Sequence, residues 1–171
     1  VLYTNEINLV NLKNHSVDKD YFIMSKGHAG AALYAVLAHC GIIDEKILLS
    51  HYQNGSYLSG HVSHKSLKGI EISTGSLGHG LPVATGMAYG LKIKNSPSKV
   101  FCLMSDGELD EGSNWEAFLF GAHNKLNNLV AIVDRNMLQS IKSTEETLAL
   151  EPLVEKFIAF GWDVYQIDGH D

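Results

Sequence analysis

Val100-Phe101-Cys102-Leu103-Met104-Ser105-Asp106-Gly107 opens the stretch that decides the fold, and Leu129-Val130-Ala131-Ile132-Val133-Asp134-Arg135-Asn136 closes it. Each is an apolar run of strand length that stops abruptly at small or oxygen-bearing residues, and Glu111 to Leu126 between them reads as a helix. Two buried parallel strands joined by one helix carry their carboxyl ends side by side. Asp106 then brings a charged oxygen and Asn136 a neutral one to the same place, the hard ligand chemistry that Mg2+ favours when it also grips phosphate. Glycine at 107 lets the backbone pass close to an anion, and the helix that follows offers free N–H groups and a partial positive charge. The plainer reading of the same residues is a helix N-cap at Asp106 and a turn at Asn136.

Composition sets the bounds around this stretch. At 171 residues, 45% hydrophobic and 19% charged, the chain is in the range of one ordinary domain with a sizeable core, which excludes a disordered segment. A formal net charge of -6, with no block of Lys or Arg, speaks against a nucleic-acid binder and for small molecules or protein as partners. Cys40 and Cys102 lie among apolar residues and read as buried free thiols. With no signal peptide and no apolar run near the roughly 20 residues that cross a bilayer, the expectation is a cytoplasmic protein without a membrane span. The chain begins at Val1 and not at Met, so a leader or further body is expected to be missing.

Outward from the centre, strand and helix alternate. Residues 1 to 20 read as a helical remnant followed by a surface connection. Tyr21 to Met24 is a strand that stops at Ser25-Lys26-Gly27-His28, and Ala29 to His39 a buried helix with Gly41 as its stop. Asp44 caps a short helix to about Tyr52, and Gln53 to Thr74 is a long loop whose glycines and histidines favour a functional role. A glycine-rich turn, Thr74 to Gly80, enters a small-residue helix from Leu81 to Ile93, whose backbone should pack close to a neighbour. Beyond Asn136, Ser140 to Ala149 is a loop or covering turn, Leu153 to Phe160 a helix between Pro152 and Gly161, and Trp162 to Ile167 an alternating strand. The fold class is α/β with a mainly parallel sheet flanked by helices, over one domain from 1 to 171.

Five separated motifs occur in one order: Ser25-Lys26-Gly27-His28; Gly60-His61; Thr74-Gly75-Ser76-Leu77-Gly78-His79-Gly80; Asp106-Gly107 with Glu111-Gly112 and Glu116-Ala117; and Asp134-Arg135-Asn136. Together they resemble the thiamine-diphosphate-binding half of transketolase over roughly residues 20 to 171, and the 28 residues between Gly107 and Asn136 are close to that family's spacing. The resemblance implies the thiamine-diphosphate-binding fold. It also implies that Asp106, Asn136 and the backbone carbonyl of Leu138 ligate Mg2+, or Ca2+ or Mn2+ in its place, beside the diphosphate. His28 and His61 are implied to be catalytic, facing the reacting end of the cofactor and the sugar, with His28 also touching the cofactor. Gly75, Leu77, Gly78, His79, Gly107 and Glu111 complete the implied cofactor set. Glu111 also falls near the family's dimer interface and Glu116 in its carboxylate cluster between two active sites. Capping histidines, a tight helix entry at Gly75 to Gly78 and solvated glutamates are the plainer readings. His15, His39, His51, His64 and His123 read as structural.

Two departures stand out: His79 where the family often has Gln, and Ser105 where it usually has Gly. The resemblance covers only the diphosphate-binding half. It implies a transferase moving a two-carbon ketol unit between sugars, active only with a pyrimidine-binding C-terminal half or subunit, as a dimer or heterotetramer. Gly169-His170-Asp171 comes before that family's domain normally finishes, so the domain is expected to be incomplete at this end. Another thiamine-diphosphate enzyme, of the 2-oxoacid dehydrogenase or deoxyxylulose phosphate synthase kind, and a noncatalytic protein of the same fold are the alternatives.

Overall fold

The computed structural model describes residues 1–7 and 19–170. Expectations for residues 8–18, including a structural role for His15, and for Asp171 lie outside the described residues. Strands β1 (Tyr21–Met24), β2 (Val100–Ser105) and β3 (Leu129–Asp134) form a parallel sheet in the order β1-β2-β3. Helix α1 (Gly30–His39) and helix α2 (Gly80–Ile93) lie on the long connection from β1 to β2, and α3 (Gly112–His123) on the shorter one to β3. A single turn α4 (Thr144–Thr147) and helix α5 (Leu153–Ala159) follow.

Successive strand side chains point to opposite faces, and the core divides accordingly. Ile23, Val100, Cys102 and Met104 meet Leu81, Ala84 and Ala88 of α2, Ala117 and Phe118 of α3 and Leu153 and Phe157 of α5. Phe22, Met24 and Phe101 turn the other way, to Leu33, Tyr34 and Leu37 of α1 and to Leu58, Val62 and Ile70 of the long loop. β2, covered on both faces, is apolar throughout for this reason. Its neighbour β3 corrects the expectation of two buried strands. Ala131 and Val133 pack on the first face, while Val130 is 38% exposed, because among the described residues little covers the second face there.

Helix boundaries differ from the sequence reading where side chains intervene. α3 begins after a 3-10 turn at Gly107–Asp110 and ends at His123, where Lys92 of α2 donates to the carbonyls of Asn124 and Lys125 and caps its end. Close packing of α2 runs through Gly80, Ala84 and Ala88, whereas Gly86 and Gly90 face open space. Residues 162–167 are not a strand. Trp162 folds onto α3, its indole N–H donating to the Phe118 carbonyl at 2.9 Å, and Tyr165 and Ile167 are more than 80% exposed. Both cysteines are free; Cys102 is buried, and Cys40 only half-buried. No helix among the described residues is long and apolar enough to cross a membrane.

Candidate functional site

The register of the sheet builds the site. Ser105 pairs with Asp134, so Asp106 and Arg135 leave neighbouring strand ends at the same level. Asp106 is fully buried, and its carboxylate is held by three donors. Gly107 N–H donates to Oδ1 at 2.8 Å; Met137 N–H and Arg135 Nη1 donate to Oδ2 at 2.7 and 2.9 Å. Asp106 is therefore the N-cap of its turn and also the anchor of the loop after β3. That loop carries Asn136, whose Oδ1 accepts from Leu138 N–H at 2.9 Å, and Leu138 itself; both are exposed. Gln139 closes the clamp from its own side. Its Nε2 donates to Asp110 Oδ2 at 2.8 Å, and its side chain lies 2.8 Å from where a Cβ on Gly107 would stand.

This arrangement can be tested against a divalent cation. An ionised carboxylate has about four lone-pair positions. Three are taken on Asp106, leaving one on Oδ1. The Asn136 amide oxygen keeps one, and no hydrogen bond of the described residues ends on the Leu138 carbonyl. One charged and two neutral oxygens on adjoining loops fit an ion that prefers oxygen ligands and completes its shell with phosphate and water. The described residues hold no group of three or more His, Cys, Asp and Glu gathered as ligands, in keeping with a site that uses a single carboxylate.

The end of β1 is joined to the same place. Lys26, with its side chain 9% exposed, reaches across the end of β2 to Asp134 at 2.6 Å. Ser25 Oγ donates to Oε1 of the fully buried Glu108 at 2.5 Å, and Ser105 Oγ approaches Oε2 at 3.5 Å. Burial pushes the Glu108 carboxyl above the usual carboxylate range, against the pull of those hydroxyls and of Lys26. The glycine-rich turn is seated by Thr74, whose hydroxyl donates to the Met24 carbonyl at 2.6 Å, and by Gly80, which packs directly on Ser25. Gly78 has φ +79°, its carbonyl accepts from Ser113 Oγ at 2.7 Å, and a Cβ there would stand 2.5 Å from Cβ of Glu111. The expected cofactor residues Gly78 and Glu111 thus meet, at the start of α3. Leu77 beside them is half-buried, and His79 stands exposed at the start of α2 with no side-chain capping bond.

His28 and His61 converge from different segments. His28 rides on the 3-10 turn Gly27–Ala29; His61 sits in the long loop, where Tyr34 of α1 donates to the Ser59 and His61 carbonyls at 2.9 and 3.4 Å. A Cβ on Gly75 would lie 3.4 Å from the His61 ring. The His28 imidazole is lowered from its usual range, first by partial burial, then by the charges of Lys26 and His61, with Asp134 opposing. Both rings are solvent-exposed on this side of the molecule. Glu116 is exposed on α3. His51 packs against Tyr34 and Tyr52, and His64 pairs with Ser73 at 2.8 Å, roles that fit a structural reading; His39 and His123 are exposed.

Four residues that the sequence reading left without roles tie the site together: Lys26, Glu108, Arg135 and Gln139. Three lie inside the five motifs or directly between them, and the one signal available was a charge set in an apolar or glycine-rich stretch. Their burial and partners depend on chain segments 29 to 108 residues apart.

Known proteins share this framework. The family described as transketolase, thiamine diphosphate binding domain, matches residues 1–171. One of the two subunits of an apulose-4-phosphate transketolase from Actinobacillus succinogenes is 46% identical over 155 residues, covering 90% of this chain and 56% of that protein. A 6-deoxy-6-sulfo-D-fructose transketolase subunit of a Clostridium species is 40% identical over 154 residues, again 90% of this chain and 56% of the relative. The chain thus spans about half the length of the curated relatives it matches. Among solved structures, transketolase from Leishmania mexicana superposes with a TM-score of 0.86 at 30% identity, over 98% of this chain and 26% of that one.

Proposed function

The chain belongs to the transketolase family, as its thiamine-diphosphate-binding domain, and from that premise we propose that it is the diphosphate-binding part of a transketolase-type transferase. It forms one diphosphate-binding unit over residues 1–171 and works with a pyrimidine-binding partner half or subunit, in a dimer or heterotetramer. The observation that carries this reading is the Asp106 carboxylate, buried at the end of β2 and bonded to the loop that bears Asn136 and Leu138. Relatives named as single subunits of a transketolase, which the chain matches over about half their length, support the partner. The free thiols support a reducing, cytoplasmic setting.

When bound, thiamine diphosphate supplies the carbanion chemistry of two-carbon transfer between sugars, and a divalent cation neutralises its diphosphate. Asp106, Asn136 and the Leu138 carbonyl hold the cation, while Gly107 and the start of the following turn present N–H groups to the phosphates. Gly75, Leu77, Gly78 and His79 line the cofactor, with Glu111 fixed against Gly78. His28, kept neutral by its surroundings, can accept or donate a proton at one ring nitrogen. His61, exposed beside it, addresses the sugar oxygens.

Calorimetry tests the proposal, with thiamine diphosphate titrated into the chain in Mg2+, with and without its partner. Tight binding only in the assembled protein is expected, because half of the cofactor surface otherwise stays in water. Asp106→Ala should abolish cation-dependent binding and Asn136→Ala weaken it less, the first removing a charged ligand and the second a neutral one. Undiminished binding by the Asp106 variant across a Mg2+ titration would show the cation to be elsewhere.

A further inference from the structure

We propose that Arg135 determines which divalent cation this site accepts, by confining Asp106 to ligation through one oxygen, which suits Mg2+ or Mn2+ over Ca2+. The inference rests on the cofactor reading above and concerns a residue to which that reading assigns no part.

A guanidinium has five N–H donors, and Arg135 uses all of them. Nη1 donates to Asp106 Oδ2 at 2.9 Å and to Thr144 Oγ1 at 2.6 Å. Nη2 donates to Glu145 Oε1 at 2.7 Å and to Glu151 Oε1 at 2.8 Å, and Nε to the same Glu151 oxygen at 3.2 Å. Thr144 is fully buried, and Glu145 and Glu151 are themselves fixed by backbone N–H groups of residues 150 and 153. The planar fork is therefore held at every corner, which a flexible ammonium cannot reproduce. Two carboxylates on its outer side offset its charge, so it does not repel a cation bound near Asp106.

The consequence falls on individual oxygens. Oδ2 of Asp106 takes both the Met137 N–H and Arg135, which fills its two lone-pair positions. Oδ1 takes only Gly107 N–H and keeps one position open. Asp106 can then meet a cation through Oδ1 alone. Ca2+ gathers six to eight oxygens and accepts carboxylates through both oxygens at once, whereas Mg2+ takes six in a strict octahedron. A rigid carboxylate limited to one oxygen, with two neutral oxygens beside it, suits the smaller ion. Without Arg135 the carboxylate is free to turn and to offer both oxygens.

The test uses the assembled protein, titrated with MgCl2 and separately with CaCl2 in the presence of thiamine diphosphate, and compares the two dissociation constants by calorimetry. Wild type should prefer Mg2+. Arg135→Met should weaken Mg2+ binding by about 10- to 100-fold, the range found when the partner of a metal ligand is removed, and Ca2+ binding less, so that the preference shrinks. Arg135→Lys should behave like Arg135→Met, since charge without the fork does not hold Oδ2. Should both fail to fold, the Glu145→Gln and Glu151→Gln double variant decides. It leaves the Arg135 to Asp106 bond in place but loosens the fork, and should narrow the preference by a smaller factor. An unchanged ratio in folded variants, full rescue by Lys, or a wild-type preference for Ca2+ overturns this assignment and leaves the functional reading standing. Absence of any cation-dependent cofactor binding by wild type overturns the functional reading, and this inference with it.

Discussion

Removing the Asp106 side chain should destabilise the protein even when neither cation nor cofactor is present. The carboxylate is fully buried and accepts from Gly107 N–H, Met137 N–H and Arg135. Asp106→Ala leaves two backbone donors without an acceptor, each costing about 1–3 kcal/mol when buried. Arg135 loses one bond but keeps Glu145 and Glu151, and its side chain is 21% exposed. Its share is therefore well below the roughly 3–5 kcal/mol of a fully buried pair broken on one side. Part of the total is returned because a desolvated charge is no longer buried. The net expectation is about 2–5 kcal/mol, which for a chain of this size lowers the midpoint of thermal unfolding by about 5–15 °C. Unfolding followed by circular dichroism in excess chelator isolates this effect from cation loss. Asp106→Asn keeps one acceptor oxygen and should lie between the two proteins. A midpoint for Asp106→Ala within about 2 °C of wild type, less than 1 kcal/mol on the same scale, would refute the claim that this carboxylate braces the two strand-end loops.

Three other substitutions probe the rest of the site. Gly78→Ala places a Cβ at φ +79° and 2.5 Å from Glu111 Cβ; a loss of about 1–3 kcal/mol by denaturant unfolding is expected, from strain and overpacking together. His61→Ala should lower turnover of a ketose donor by about 100- to 10,000-fold with cofactor affinity nearly unchanged. In the same variant the NMR titration midpoint of His28 should rise, because one of the charges that lowers it is gone; a fall in the midpoint would separate the two rings. Glu108→Gln tests the buried acid. Its folded carboxyl titrates above the unfolded value, so its contribution to stability is full below the unfolded pKa and is lost as pH rises through the folded one. The variant should therefore gain on wild type in unfolding experiments as pH rises from 4 toward neutrality, and a constant difference across that range would count against a raised carboxyl.

Strand β2, the crossover helix and strand β3 were legible because a buried parallel strand must be apolar along its length and must stop where the chain turns to polar residues. The five ordered motifs likewise located the candidate site without coordinates. Asp106, Asn136, Gly78 and His61 were singled out because glycine, histidine and strand-end carboxylates have few other reasons to cluster in that order. The strand expected at 162–167 had the right alternation, yet a ladder needs a partner, and Trp162 found its partner on α3 instead. Gly86 and Gly90 carried the same small-residue signal as Ala84 and Ala88, but only packing against the sheet decided which face of α2 was close to a neighbour. The same limit explains Lys26, Glu108, Arg135 and Gln139. A charged or amide side chain in the sequence declares its chemistry but not its partners, and partners 29 to 108 residues away are brought within hydrogen-bonding distance only by the parallel register of three strands. The donors and acceptors were therefore written in the sequence, and which lone pair of Asp106 stays open was decided by the tertiary structure.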